Sequence, residues 1–202
     1  MAQILKFYDE NHIYELDGEE IPSVSELSRF ASREIYGEIS QFTLDNAAER
    51  GRKVHKSCEN LDRFGDCEVD ESIVPYIKAY IKFLEDYKPE WKYIEKALAS
   101  TSRKFAGTLD RVGTLKGEKL AIVDLKSSSA VQKVLASIQL NGYQELYEEN
   151  FGEKIDELDI LHLKNDGTYK LVAIPQDKSL FNSCLTLHNA LKKKKRGKKT
   201  NG

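Results

Sequence analysis

GTLDRVG (residues 107–113) and AIVDLKSS (residues 121–128) stand on either side of the turn signal KGEK. They fall in two short, apolar and partly alternating stretches, Lys104 to Leu115 and Lys119 to Lys126, which predict antiparallel strands joined by a tight turn. Side chains alternate along a strand, so Asp124 and Lys126 share one face while Val123 and Leu125 take the other. Asp124 therefore sits on a strand expected to be buried, where a carboxylate or an ammonium is costly without a partner. The hairpin would bring Asp110 alongside it. Two carboxylates held together repel unless one is protonated or a cation lies between them. A hard divalent ion such as Mg2+ or Mn2+, which favours carboxylate and water oxygens, suits that place. Read alone, D-x-K is a tripeptide common by chance, and a surface ion pair on an edge strand is the simpler explanation.

Working outward, residues from Trp91 to Leu98 predict a further strand, and Ala130 to Asn150 a helix with Val131, Val134, Leu135, Ile138 and Leu146 inward. LDILHLK (158–164) and YKLVAIP (169–175) read as two strands joined by an NDG turn, with Asp177 capping a last helix. Upstream, Ala47, Gly51, Val54, Cys58 and Leu61 form one helical stripe, beside a second of Ala48, Arg52, His55 and Glu59. Ile73, Ile77, Tyr80, Ile81, Leu84 and Tyr87 mark the inner face of another helix, which stops before Pro89. The opening KFYDENHIYELDGEEIPSVSEL predicts a hairpin turning at Asp17-Gly18, then a short helix capped by Ser23 or Ser25. Helices, a meander, a helical crossover, two strands and a helix imply one α/β domain, a mixed sheet flanked by helices, over residues 1–191.

The 202 residues are 40% apolar and 32% charged, with 4 Pro and 12 Gly, which excludes collagen-like and low-complexity classes. No apolar run reaches membrane-spanning length, and the acids in MAQILKFYDENH do not suit a signal peptide, so a soluble cytoplasmic protein is expected. Three widely spaced cysteines, Cys58, Cys67 and Cys184, support neither a disulfide framework nor a zinc knuckle. The net charge of −2 hides an asymmetry. Residues 192–202 hold seven of the 31 Lys and Arg and no acid, leaving 24 basic against 33 acidic residues, a net −9, in residues 1–191. Such a tail is expected to be disordered, and either to lie on a polyanion or simply to aid solubility.

Four segments together resemble the PD-(D/E)XK nuclease superfamily, and within it the RecB-like branch that includes phage exonucleases. Asp110 matches the first acid of the GxxD segment, although Leu109 stands where the naming motif has proline. Asp124, Leu125 and Lys126 match (D/E)XK. Gln139 and Tyr143, inside QLNGY, match QxxxY, and their spacing puts both on one helix face. Gly51 and His55, inside RGRKVHKSCE, look like the branch's upstream helical segment, and HxY with IPSVSEL looks like the opening of phage members. The resemblance runs from about residue 8 to 148.

It implies a restriction-endonuclease-like fold and metal-assisted phosphodiester hydrolysis, with Asp110, Asp124 and Lys126 catalytic. It implies one or two Mg2+ or Mn2+ ions on His55, Asp110, Asp124 and the main-chain carbonyl of Leu125, with Glu95 a further candidate ligand. Gln139 and Tyr143 become nucleic-acid-binding residues, and Arg50, Arg52, Arg103 and Lys104 are candidate phosphate contacts. With three cysteines, no iron–sulfur cluster is expected. The favoured activity is a DNA exonuclease acting at ends, in phage or mobile-element recombination or repair. A homo-oligomer or a single-strand annealing protein is a candidate partner. A restriction-like or structure-specific endonuclease, and a catalytically silent binding member of the fold, are the alternatives.

Overall fold

The computed structural model describes residues 4–8, 11–37, 41–117 and 119–199. The chain opens with a small antiparallel sheet, β1 (Leu5–Tyr8), β2 (Ile13–Leu16) and β3 (Glu19–Ile21). The β2–β3 turn falls on Asp17 and Gly18, both at positive φ, as the Asp-Gly signal predicts. Helix α1 (Val24–Tyr36) follows, its cap settled as Ser23, whose hydroxyl accepts from the Glu26 amide at 3.0 Å. Helices α2 (Gln41–Phe64) and α3 (Val74–Tyr87) come next, and α3 closes on Lys88 in the left-handed region just before Pro89. The main sheet then forms from β4 (Glu90–Ser100), β5 (Phe105–Leu115) and β6 (Lys119–Lys126). After helix α4 (Lys133–Phe151) it is completed by β7 (Glu157–Leu163) and β8 (Tyr169–Ala173), and α5 (Ser179–Lys199) ends the described chain.

The five strands stand in the order β4-β5-β6-β7-β8, and the β6–β7 pair alone is parallel. That pair needs a crossover, which α4 provides. One sheet face packs on α1, α4 and α5 through residues such as Phe105, Leu109, Ile122, Leu140 and Phe181. The other packs on α2 and α3 through Val54, Cys58, Phe83, Val123 and Leu125. Each large apolar side chain so buried contributes about 1.5–3 kcal/mol. The small sheet is tied to the main one by the Ala106 amide, which donates to Pro22 O at 2.9 Å, and by a Tyr14–Thr108 hydroxyl hydrogen bond of 2.8 Å.

Several expectations shift. The first turns of α2 project from the body, so Ala47 is exposed and Gly51 only half-buried; the stripe that reaches the core is Val54 and Cys58. On α3, Ile81 points outward and Phe83 is buried instead, because α3 rests on the sheet through Tyr76, Ile77, Tyr80 and Phe83. Val134 is exposed, whereas from Ala136 to Tyr147 helix α4 is buried on nearly every side, enclosed by the sheet, α1 and α5. Helix α5 continues to Lys199, so the lysine-rich segment expected to be disordered has a helical backbone over most of its length. Residues 200–202 lie outside the described residues. Lysine is a good helix former, and cations suit a helix C-terminus. Among the described residues no helix is long and apolar enough to cross a membrane.

Candidate active site

Strands β4, β5 and β6 lie side by side; β4 and β5 contribute the Glu95 and Asp110 side chains to one place where α2 crosses above, and β6 contributes the Leu125 carbonyl. Arg111 pairs with Val123 and Ile94 with Arg111, which sets Asp110 next to Asp124 on one side and Glu95 on the other. From α2, His55 reaches down: its Nε2 donates to Leu125 O at 3.0 Å, and its Nδ1 lies 3.5 Å from Asp110 Oδ2 and 3.9 Å from Glu95 Oε1. Asp110 Oδ2 also accepts from the Leu125 amide at 2.8 Å, so Asp110 and the Leu125 peptide are locked together. Burial alone would depress the His55 imidazole, but the Asp110 and Glu95 carboxylates outweigh it and raise its pKa to about 9.

One ligand atom each from His55, Glu95 and Asp110 lie within 4.8 Å of one another. Asp124, expected to be a ligand alongside them, stands outside this trio. It is 1% exposed, and its Oδ2 lies 2.6 Å from Lys126 Nζ. Its Oδ1 is buried without a hydrogen-bond partner among the described residues. Burial, and secondarily the Asp110 charge, push the Asp124 carboxyl up, against the pull of Lys126. Burial works against the Lys126 ammonium in turn, yet Asp124 and Asp110 raise its pKa. The donors at hand are two carboxylates, an imidazole and a main-chain carbonyl, next to an orphaned buried carboxylate oxygen. Mixed oxygen and imidazole donors of this kind suit a divalent cation.

A charged network behind the trio escaped the sequence. Arg111 is fully buried; its Nε donates to Asp62 Oδ2 at 2.6 Å, and its Nη1 to Glu95 Oε1 at 3.0 Å and to Asp110 O at 2.7 Å. Asp62 accepts as well from Tyr80 Oη at 2.6 Å and from Trp91 Nε1 at 3.2 Å. Asp62 follows His55 by seven residues, two helical turns, so one face of α2 is pinned to the sheet at Asp62 and presents His55 above it. That spacing, with a lone arginine in an apolar strand, was the available signal. Glu95 itself has φ 49, a left-handed conformation that costs a non-glycine residue about 1–3 kcal/mol and recurs at functional sites.

The remaining candidates divide. Gln139 donates to Tyr143 Oη at 2.9 Å, and Gln139 and Lys126 border the same small pocket of about 150 Å3. Tyr143 is buried, its phenol raised by burial first and by the nearby acids second, so it supports Gln139 from within. A β-carbon at Gly107 would lie 2.7 Å from Tyr143 Cε1, so the glycine of GTLD makes room for the tyrosine of QLNGY. Gly113 is needed equally: a β-carbon there would meet Glu90 O at 2.2 Å, where β4 bulges. Arg52 is exposed in the groove beside His55. Arg50 is half-buried, its guanidinium 5.9 Å from the Tyr76 ring centroid. Arg103 is held by Glu145 Oε1 at 2.6 Å and Asn182 Oδ1 at 2.8 Å, a structural clamp between the β4–β5 turn, α4 and α5. Lys104, in the same turn, is about 20 Å along β5 from Asp110. Neither belongs to the cluster. His162 donates to Ser128 O at 2.7 Å, a structural role.

Comparison with known proteins adds a family. No curated protein matches the chain. Among solved structures, a proposed exonuclease of Eubacterium rectale is 16% identical over 83% of this chain and 76% of its own, with a TM-score of 0.49. An alkaline exonuclease of Laribacter hongkongensis is 12% identical over 89% of this chain and 94% of its own, with a TM-score of 0.41. The family model for the PD-(D/E)XK nuclease superfamily matches residues 68–194. That match starts ahead of α3, takes in every strand of the main sheet and runs into α5. It spans well over half the residues, and the chain therefore belongs to the PD-(D/E)XK nuclease superfamily.

Proposed function

We propose that this chain is a divalent-metal-dependent deoxyribonuclease that hydrolyses phosphodiester bonds from DNA ends, in the cytoplasm and in phage or mobile-element recombination or repair. The observation that carries the reading is the convergence of His55, Glu95 and Asp110 within 4.8 Å, beside the Asp124–Lys126 pair at 2.6 Å. His55, Asp110, Glu95 and the Leu125 carbonyl would hold Mg2+ or Mn2+, with Asp124 supplying its unpartnered oxygen. The ion would lower the pKa of a bound water and offset the charge that grows on the phosphate. The chain's own groups do the rest. Lys126, kept charged by Asp124 and Asp110, positions a water and stabilises negative charge at the scissile phosphate. Asp110 fixes the Leu125 peptide so that its carbonyl faces the site. His55 must release its proton to coordinate, so binding is expected to liberate a proton near neutral pH.

The test is cleavage of linear and covalently closed plasmid with Mg2+ and with Mn2+. Linear DNA should be consumed while closed circles persist; prompt loss of the closed circle would instead favour an endonuclease. Asp124→Asn should reduce cleavage by about 10²–10³-fold or more, the scale seen when one electrostatic group of an active site is removed. Its thermal midpoint should stay close to the parent's. Undiminished cleavage by Asp124→Asn would end the assignment, and a parent that binds DNA but cuts nothing would leave a silent binding protein.

A further inference from the structure

Between the small sheet and α2 runs an open groove of about 680 Å3, lined by Phe7, Gly51, Arg52 and Lys56 together with His55 and Glu95 of the trio. Its size suits a nucleotide unit. The Phe7 ring stacks on Tyr14, centroids 4.6 Å apart at 26°, and Tyr14 is tied by its hydroxyl to Thr108, two residues before Asp110. An aromatic platform is thus braced against the strand that carries a candidate ligand, while Phe7 remains only half-buried.

Opposite it, Gly51 lies in the middle of α2, where glycine costs about 1 kcal/mol relative to alanine. Packing among the described residues gives no reason for it, since a β-carbon there would meet none of their atoms within 4 Å. A bare helix turn facing a groove lets something outside the chain approach the backbone. Arg52, exposed and in no ion pair among the described residues, adds positive charge at the same place, as does Lys56, which pairs with Glu59 at 3.0 Å.

Resting on the nuclease reading, we infer that this groove takes a single-stranded stretch of the substrate, with one unpaired base stacked on Phe7, its sugar against the bare turn at Gly51 and its phosphates beside Arg52 and Lys56. Stacking selects an unpaired base, because in a duplex the base faces are already covered, and it tolerates any sequence. Phe7 and Gly51 are positioning residues that set the preference for a single strand.

The experiment is fluorescence anisotropy in EDTA, where metal-dependent cleavage cannot proceed, with labelled dT20 and a blunt 20-base-pair duplex. Phe7→Leu, which keeps an apolar contact with Tyr14, should weaken dT20 binding about tenfold and leave the duplex nearly unchanged, and Phe7→Trp should restore it. Gly51→Ala should melt at a higher temperature than the parent yet bind dT20 several-fold more weakly, an opposition that misfolding cannot produce. Parent-like dT20 affinity in both Phe7→Leu and Gly51→Ala, or equal losses on dT20 and duplex, would overturn the groove assignment. A parent that shows the binding pattern but cuts nothing with Mg2+ or Mn2+ sinks the nuclease reading alone. A parent that cuts while its variants bind unchanged sinks the groove alone.

Discussion

Asp159 shows what a buried carboxylate does when no cation stands close beside it among the described residues. It sits on β7 beside Val123, 4% exposed, with Oδ2 lacking a hydrogen-bond partner among the described residues; burial first, then Glu157, raise its pKa to about 6 against the weaker pull of Lys119. An unfolded aspartate titrates near 3.9. The folded state thus holds the proton more tightly, and Asp159 lowers stability progressively as pH rises from about 4 to about 6, with the full cost of roughly 3 kcal/mol above that. Asp159→Asn should therefore match the parent near pH 4 and exceed it by about 1–3 kcal/mol at pH 7–8 in urea unfolding. A constant difference across that range would show that the carboxyl is not the cause. Asp124 is buried as deeply, but Lys126 answers it at 2.6 Å, and the contrast separates an acid kept beside an ammonium from one that merely weakens the fold.

At the scale of elements, strand alternation explains what the sequence revealed and what it hid. Asp124 and Lys126 share a face because β6 alternates without interruption, as the pattern predicts. In β5 the alternation slips: Leu109 and Val112, three apart, both pack in the layer under α4. Asp110 and Arg111 occupy the slip, while on β4 Glu95 takes its left-handed turn next to them. A strict period of two cannot place such residues. Asp110 was legible through its motif, whereas Arg111 and its partner Asp62, 49 positions apart in sequence, were not. Helix α4 misled in the opposite way: a helix enclosed on nearly every side has no clean apolar stripe, so Val134 could not be told from the core positions. The Asp62–Arg111–Glu95 network should behave as a unit. Arg111→Met alone should cost about 3–5 kcal/mol by stranding buried acids, and adding Asp62→Leu should recover part of that loss in a double-mutant cycle. Additive losses would mean that the two side chains are not coupled.

For the molecule as a whole, charge is divided along the chain: residues 1–191 carry a net −9, and the seven cations of 192–202 bring the total to −2. Nucleic acid must therefore be met by local groups such as Arg52, by bound cations, or by the far end of α5. Truncation after Leu191 should weaken DNA binding and flatten the dependence of log K on log salt by at most about 6, the limit if all seven cations met phosphates of B-DNA. An unchanged slope would assign the tail to solubility alone. The packing of α2 against the sheet has one more consequence. Cys58 is fully buried on the same helix that presents His55, and burial pushes its thiol pKa well up, while Cys67 and Cys184 are only half-buried. An alkylating reagent should thus reach the latter two quickly and Cys58 only after α2 swings away from the strands. The rate of that third, slow modification is a clock for helix detachment, and a cation bridging His55 to the sheet should slow it.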